Sequence, residues 1–149
     1  MSNNENINLL SGTEYKIIGK AMLERIQAYS GLPTGIKLDY QAVNGVGHIG
    51  FITTPGGKYI FQDIYGGFEA QLPFQVAYKL AGTGNKEMLD AETLLDGLIE
   101  YLEKKPYPSL TDGRQVTKID FDSTTYRSQA NEDGSLIFVR SGRVRYEKY

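Results

Sequence analysis

The sequence predicts an α+β domain: a mainly antiparallel or mixed β-sheet with two main helices packed on one face. Three observations lead there. The stretch "GGFEAQLPFQVAYKLAG" alternates, with Phe68, Ala70, Leu72, Phe74, Val76, Tyr78 and Leu80 on one side. Glu69, Gln71, Pro73, Gln75 and Lys79 fall on the other, with Ala77 the one apolar exception there, the pattern of a strand with one buried face. Two segments, one before and one after this strand, instead repeat their apolar residues at helical spacing. Short apolar, β-branched runs bounded by Gly and Pro fill the remainder, and no internal repeat or dividing linker interrupts them.

Taken in order, residues 1 to 10 are polar and Asn-rich and are expected to be flexible, leaving 11 to 149 as a single domain. Ser11 stands three before Glu14, the spacing of a capping box. A helix follows over about 13–30, striped by Ile18, Met22, Ile26 and Tyr29, widened by Ile17 and Ala21, and closed by Gly31 and Pro33. "GIKLDY" alternates as a short strand. "HIGFITT" and "KYIFQDI", joined by "PGG", read as a hairpin with Gly56 or Gly57 at positive φ. The long strand comes next, and Pro73 inside it demands an edge or a bulge. "TGNKEMLDAETLLDGLIEYLEKK" is the second helix, its stripe made by Leu94, Leu95, Leu98, Ile99 and Leu102. "RQVTKIDFD" and "SLIFVRSGRVRYEKY" finish as strands, with "NEDG" a turn before the second.

Bulk properties narrow the function classes. At 149 residues the chain has the length of one domain with a real core. Its net charge of −2 argues against nucleic-acid or membrane-surface binding as the main task. It has no cysteine, which excludes disulfides and thiolate metal sites. No apolar run approaches the ~18 residues of a membrane span. The start lacks a signal peptide's positive flank and apolar run, so export by that route is not expected.

Candidate chemistry is sparse. "GVGHIG", residues 45–50, matches the dinucleotide fingerprint by letter. That motif must open a helix whose N-terminus meets the pyrophosphate, and here it runs into a strand, so it is rejected. His48 is the only histidine and lacks a positioned nucleophile, so it reads as structural or as a surface residue. Asp120 and Asp122 flank Phe121 and point to one strand face. They are either a Mg²⁺ or Ca²⁺ site, which would make the protein a metal-dependent enzyme, or a solvated or charge-paired strand face, the preferred reading. Arg143 and Arg145 share one face of the last strand and Arg140 lies on the other unless Gly142 introduces a bulge, as partners for Asp120, Asp122 or a neighbouring chain's acidic helix. Residues 113–149 hold seven basic against five acidic side chains, too small a surplus for phosphate neutralisation to dominate.

The long strand poses a packing problem. At ~3.3 Å per residue it spans roughly 40 Å, whereas a chain of this size has a radius of gyration of about 15 Å. The expectation is that hydrophobic surface on it exceeds what one copy covers, so that copies assemble side by side.

The order of "SGLPTGIKLDY", "YGGFEAQLPFQVAYKL", "AETLLDGLIEYLEKKPYPSLTDGRQVTKID" and "EDGSLIFVRSGRVRYE" resembles the minor capsid proteins of Gram-positive siphophages and prophages. These are counted as tail terminators, similar to the lambda-type terminator, and the resemblance runs from about Leu9 to Tyr146. It implies a lambda-type tail-terminator-like fold and a non-enzymatic structural protein with no catalytic residue, cofactor or metal. It further implies a homo-oligomeric ring, usually a hexamer, that caps the tail tube, stops its polymerisation and joins it to the head–tail connector. DNA would pass through the lumen without sequence-specific binding. The protein would sit in the virion tail at the head–tail junction, after assembly in the host cytoplasm, with no membrane partner. The subunit interface expected on this reading draws on Tyr59, Phe61, Phe68, Leu72 and Phe74. Its charged part comprises Asp120, Asp122, Arg140, Arg143 and Arg145. The alternatives are another head–tail joining or tail-completion protein, and a small nucleotide-binding domain using Gly45 to Gly50.

Overall fold

A computed structural model describes residues 8–82, 84–127 and 134–149. The chain folds as α1 (Gly12–Gln27), β1 (Lys37–Tyr40), β2 (His48–Thr53), β3 (Lys58–Gln62), β4 (Phe68–Leu80), α2 (Asn85–Glu103), β5 (Arg114–Phe121), β6 (Tyr126–Arg127) and β7 (Leu136–Lys148). One seven-stranded sheet runs in the order β1-β2-β4-β7-β5, with β3 also on β4 and β6 on β7. It is mixed: β1 and β2 are parallel and the other pairings are antiparallel. Both helices lie against the inner face and bury their stripes there, Ile18, Met22 and Ile26 from α1 and Leu95, Leu98 and Leu102 from α2. The predicted α+β architecture is the observed one.

β4 is a single thirteen-residue strand, and its alternation holds from Phe68 to Val76 before Ala77 is buried and Tyr78 half-buried. Phe68, Ala70, Leu72, Phe74, Val76 and Leu80 are all buried. Phe74 meets Phe51 at 5.0 Å and the edge of Phe121 at 5.2 Å between ring centroids. The chain therefore covers the apolar row of its longest strand by itself, contrary to the expectation of surplus surface. The reason is β7, which is equally long and pairs with β4 without a break from Phe68↔Lys148 to Leu80↔Leu136. Together they form a floor on which both helices rest.

The strand pairing also corrects the predicted hairpin. β2 and β3 do not pair with each other; both lie along the same side of β4, β2 opposite Phe74 to Tyr78 and β3 opposite Phe68 to Gln71. "PGG" is thus an interruption between two collinear strands, with Gly56 taking φ +110°. The interruption falls at Pro73, whose carbonyl accepts a hydrogen bond from Thr54 N–H at 3.1 Å. In a strand, a residue's N–H and C=O point the same way. The amide hydrogen that Pro73 lacks would thus have pointed into the gap between β2 and β3. The partner strand is broken there while β4 stays straight, so neither an outer edge nor a bulge in β4 is needed. The true hairpin is β3–β4.

Two further differences are local. Ser11 caps α1 without a side-chain hydrogen bond, and the Glu14 carboxylate turns inward, so the capping box does not form. Residues 8–10, expected to be flexible, are tied to β3: Leu10 N–H donates to Gly57 C=O at 3.0 Å, Tyr59 N–H donates to Asn8 C=O at 2.7 Å, and Leu10 is buried. Residues 1–7 lie outside the described residues. So do residues 131–133, most of the "NEDG" turn; its Gly134 has φ +81°.

Candidate assembly surface

The structure takes some of the expected interface residues out of contention and brings others together. Phe68, Leu72 and Phe74 are core residues of their own chain and offer no side-chain surface to a neighbour. Tyr59 is half-buried, standing edge-on to Phe68 at 5.0 Å. Phe61 is different. A bulge between Tyr59 and Phe61 puts it opposite Glu69, on the face of the sheet away from the helices, where it is 51% exposed.

The exposed apolar surface continues past Phe61 into the β3–β4 turn. Ile64 and Tyr65 are each 89% exposed. They are nonetheless held firmly: Asp63 Oδ1 accepts from Tyr65 N–H and from Gly67 N–H, both at 2.8 Å, and Asp63 N–H donates to Gly67 C=O at 2.9 Å. An aspartate folding the backbone around its own carboxylate is a turn-forming device. Its effect here is to present two bulky apolar side chains outward on a fixed support. Sequence reasoning passed over this pair. The available signal was an Ile-Tyr dipeptide between Asp63 and two glycines, where turns ordinarily carry small polar residues.

The charged candidates form two separate groups. Arg143 donates to Asp120 Oδ2 at 2.6 Å and to Asp122 Oδ1 at 2.7 Å, so one guanidinium bridges both carboxylates. Hydrogen bonding to Asp122, with both aspartates' charge, holds the Arg143 pKa above its usual value despite the opposing effect of burial. The guanidinium occupies the position a divalent cation would need, which is the charge-paired reading. Arg140 lies on the helix-covered face, as the alternation predicted, bonding Asp96 of α2 at 2.8 Å and the Asp122 carbonyl at 2.9 Å. Arg145 is exposed and donates to Gln71 Oε1 at 3.3 Å.

A third polar cluster was not foreseen. Glu14 and Arg114, 5% and 7% exposed, form a two-pronged ion pair at 2.9 and 2.6 Å, and Tyr146 O–H donates to Glu14 Oε1 at 2.8 Å. Burial alone would raise the Glu14 pKa; the Arg114 and Tyr146 hydrogen bonds and the Arg114 charge outweigh it and hold the carboxyl below its usual range. Burial and the neighbouring carboxylate push Tyr146 upward. With every partner satisfied, this cluster fastens the start of α1 to β5 and β7.

His48 Nδ1 sits 2.8 Å from Asp39 Oδ2, which also accepts from Asn44 N–H at 2.7 Å. Burial works to raise the Asp39 pKa, but the Asn44 and His48 hydrogen bonds prevail and lower it. These bonds pin the loop 41–47 across the outer face, where it crosses directly over Gly50; a Cβ there would collide with the Ala42 carbonyl. "GVGHIG" is therefore the end of a short crossover followed by strand β2, as expected from the sequence, and it presents no helix N-terminus to a pyrophosphate.

A groove of about 990 Å³ lies along the opposite edge of the sheet, between residues 105–110 and β5. Pro106, Tyr107, Leu110 and Val116 supply its apolar wall, with Lys105 and Arg114 contributing the only charged side chains among its lining residues. Among the described residues, no group of three or more His, Cys, Asp or Glu side chains is placed to hold a metal. No helix among them is long and apolar enough to cross a membrane.

No protein-family profile matches the sequence, and no curated protein matches it. Among solved structures, the fold is similar to a chain from the virion of a native gene transfer agent particle. The TM-score is 0.66 at 13% identity, covering 92% of this chain and 99% of that one. At this identity the likeness is one of fold, and it extends over nearly the whole of both chains.

Proposed function

We propose that this chain is a structural protein of a phage or phage-like particle, acting as a tail terminator. Subunits form a ring, hexameric by analogy with the resembling family, that caps the tail tube, halts its growth and offers a docking face to the head connector. The observation that carries this reading is the fold likeness to a virion component over almost the full length of both chains. The resemblance of the quoted segments to siphophage minor capsid proteins supports the narrower role, as does the rigid apolar turn at Ile64 and Tyr65. An exposed apolar patch rimmed by polar groups marks a surface made for association. A net charge of −2 suits a lumen that lets DNA through without holding it.

The test is electron microscopy of tails assembled without this chain. The expected result is overlong tubes that do not join heads. Tails of normal length joined to heads would reject the terminator role. Tubes of normal length that fail to join heads would point to another joining or completion protein.

A further inference from the structure

We infer that the β3–β4 turn of one copy seats Ile64 and Tyr65 in the groove beside β5 of the next copy, making a head-to-tail contact around the ring. This rests on the ring reading above and adds the two surfaces that meet. Four observations lead to it. The turn holds two consecutive large apolar side chains almost fully in water, yet braces them through Asp63. A braced element loses little freedom on docking, which favours association. The groove opposite is lined by Pro106, Tyr107, Leu110 and Val116, apolar surfaces suited to an isoleucine and a tyrosine. Of its two charged lining residues Arg114 is already paired with Glu14, which leaves the exposed Lys105 to face a turn flanked by Asp63 and Glu69.

The fourth observation is geometric. Gln62 pairs with Phe68, Phe68 with Lys148, and Lys148 with Arg114, so the turn projects from one edge of the sheet just beyond the level at which β5, on the opposite edge, begins. Unlike surfaces on opposite edges give a heterologous contact. Both surfaces lie at the same end of the sheet, so the contact needs only a short offset along the strands. Repetition of such a contact closes a ring when the rotation permits.

The chain has no cysteine, so a disulfide can report the contact cleanly. Three strand spacings of about 4.8 Å separate the two edges, roughly 14 Å, far beyond the ~7 Å limit for a disulfide. Ile64→Cys with Gln115→Cys therefore cannot close within one copy. Tails are assembled with this double variant replacing the natural chain, purified, mildly oxidised and run without reductant. The expected result is a ladder of linked copies that collapses on reduction. Dimers from Ile64→Cys alone would mean that turns meet turns and would overturn the inference. Variant present in the tails at normal occupancy but unlinked would overturn it too, leaving the ring reading intact. Absence of both the variant and the natural chain from purified tails would reject the ring reading itself. A second arm uses Ile64→Ser with Tyr65→Ser, which touches nothing in the core; it should fold with unchanged circular dichroism and be lost from tails. Normal incorporation of that variant would also overturn the contact.

Discussion

The inner row of β4 and the turn that leads into it are neighbours in sequence with opposite fates. From Phe68 to Leu80 the apolar side chains on the helix side, except the half-buried Tyr78, are sealed inside the chain, while Ile64 and Tyr65, a few residues earlier, stand in water. Strand length was a poor guide to which surface calls for a partner, because β7 and the two helices supply the cover that a lone long ribbon would lack. What distinguishes the turn is bulk without cover, on a backbone that is locally fixed. Interior changes should therefore act on folding and turn changes on association, a division that can be attacked from either side.

The largest effect is expected from Arg114→Ala. It strands the Glu14 carboxylate in a buried site, and breaking such a pair typically destabilises by about 3–5 kcal/mol. Chemical denaturation of the isolated chain measures it. Leu72→Ala should follow at about 2–5 kcal/mol, the usual range for a buried leucine replaced by alanine. A small effect there would mean that β4 is less well sealed than its burial indicates.

Tyr146→Phe removes one donor to Glu14 and should destabilise by about 1–3 kcal/mol. The same cluster sets an acid response. Because the folded pKa of Glu14 is depressed, its contribution is complete above the ordinary carboxylate value of 4.5 and is lost as pH falls through the lower folded value. Glu14→Gln should accordingly flatten the acid limb of a stability–pH profile measured by thermal unfolding; an unchanged limb would rule out this linkage. Arg143→Ala, at a half-exposed site, should shift stability by no more than about 1 kcal/mol. The smallest shift belongs to Ile64→Ser with Tyr65→Ser, within about 0.5 kcal/mol of the natural chain. A large loss of stability in that variant would show that the turn supports the fold and would blur the division.

The elements carried by local periodicity were readable from the sequence. α2, β4 and the closing strands emerge near their observed bounds because one residue's burial predicts that of its third, fourth or second neighbour. Partner choice was not readable in the same way. "PGG" is a sound turn signal, yet whether it reverses the chain or merely interrupts it depends on β4, which lies later in the sequence. Ser11 and Glu14 have capping-box spacing, but Arg114 and Tyr146, distant in sequence, compete for the carboxylate and win. Pro73 was correctly flagged as unable to donate, while the gap that accommodates it belongs to another strand. Of the exposed apolar residues around the β3–β4 turn, Phe61 stood among the sequence candidates, and the Ile64–Tyr65 pair was present as an anomaly of composition.

β7 lies between β4 and β5, and its pairing with β4 joins segments separated by roughly half the chain. The middle of the sheet is thus its latest possible seam during synthesis, since β4 must wait with one flank open until β7 arrives. Distant pairings of this kind slow folding and leave unpaired strand exposed meanwhile. Cells making the protein in quantity should favour slow expression at low temperature, and a chain cut short before Leu136 should aggregate instead of yielding a smaller stable domain.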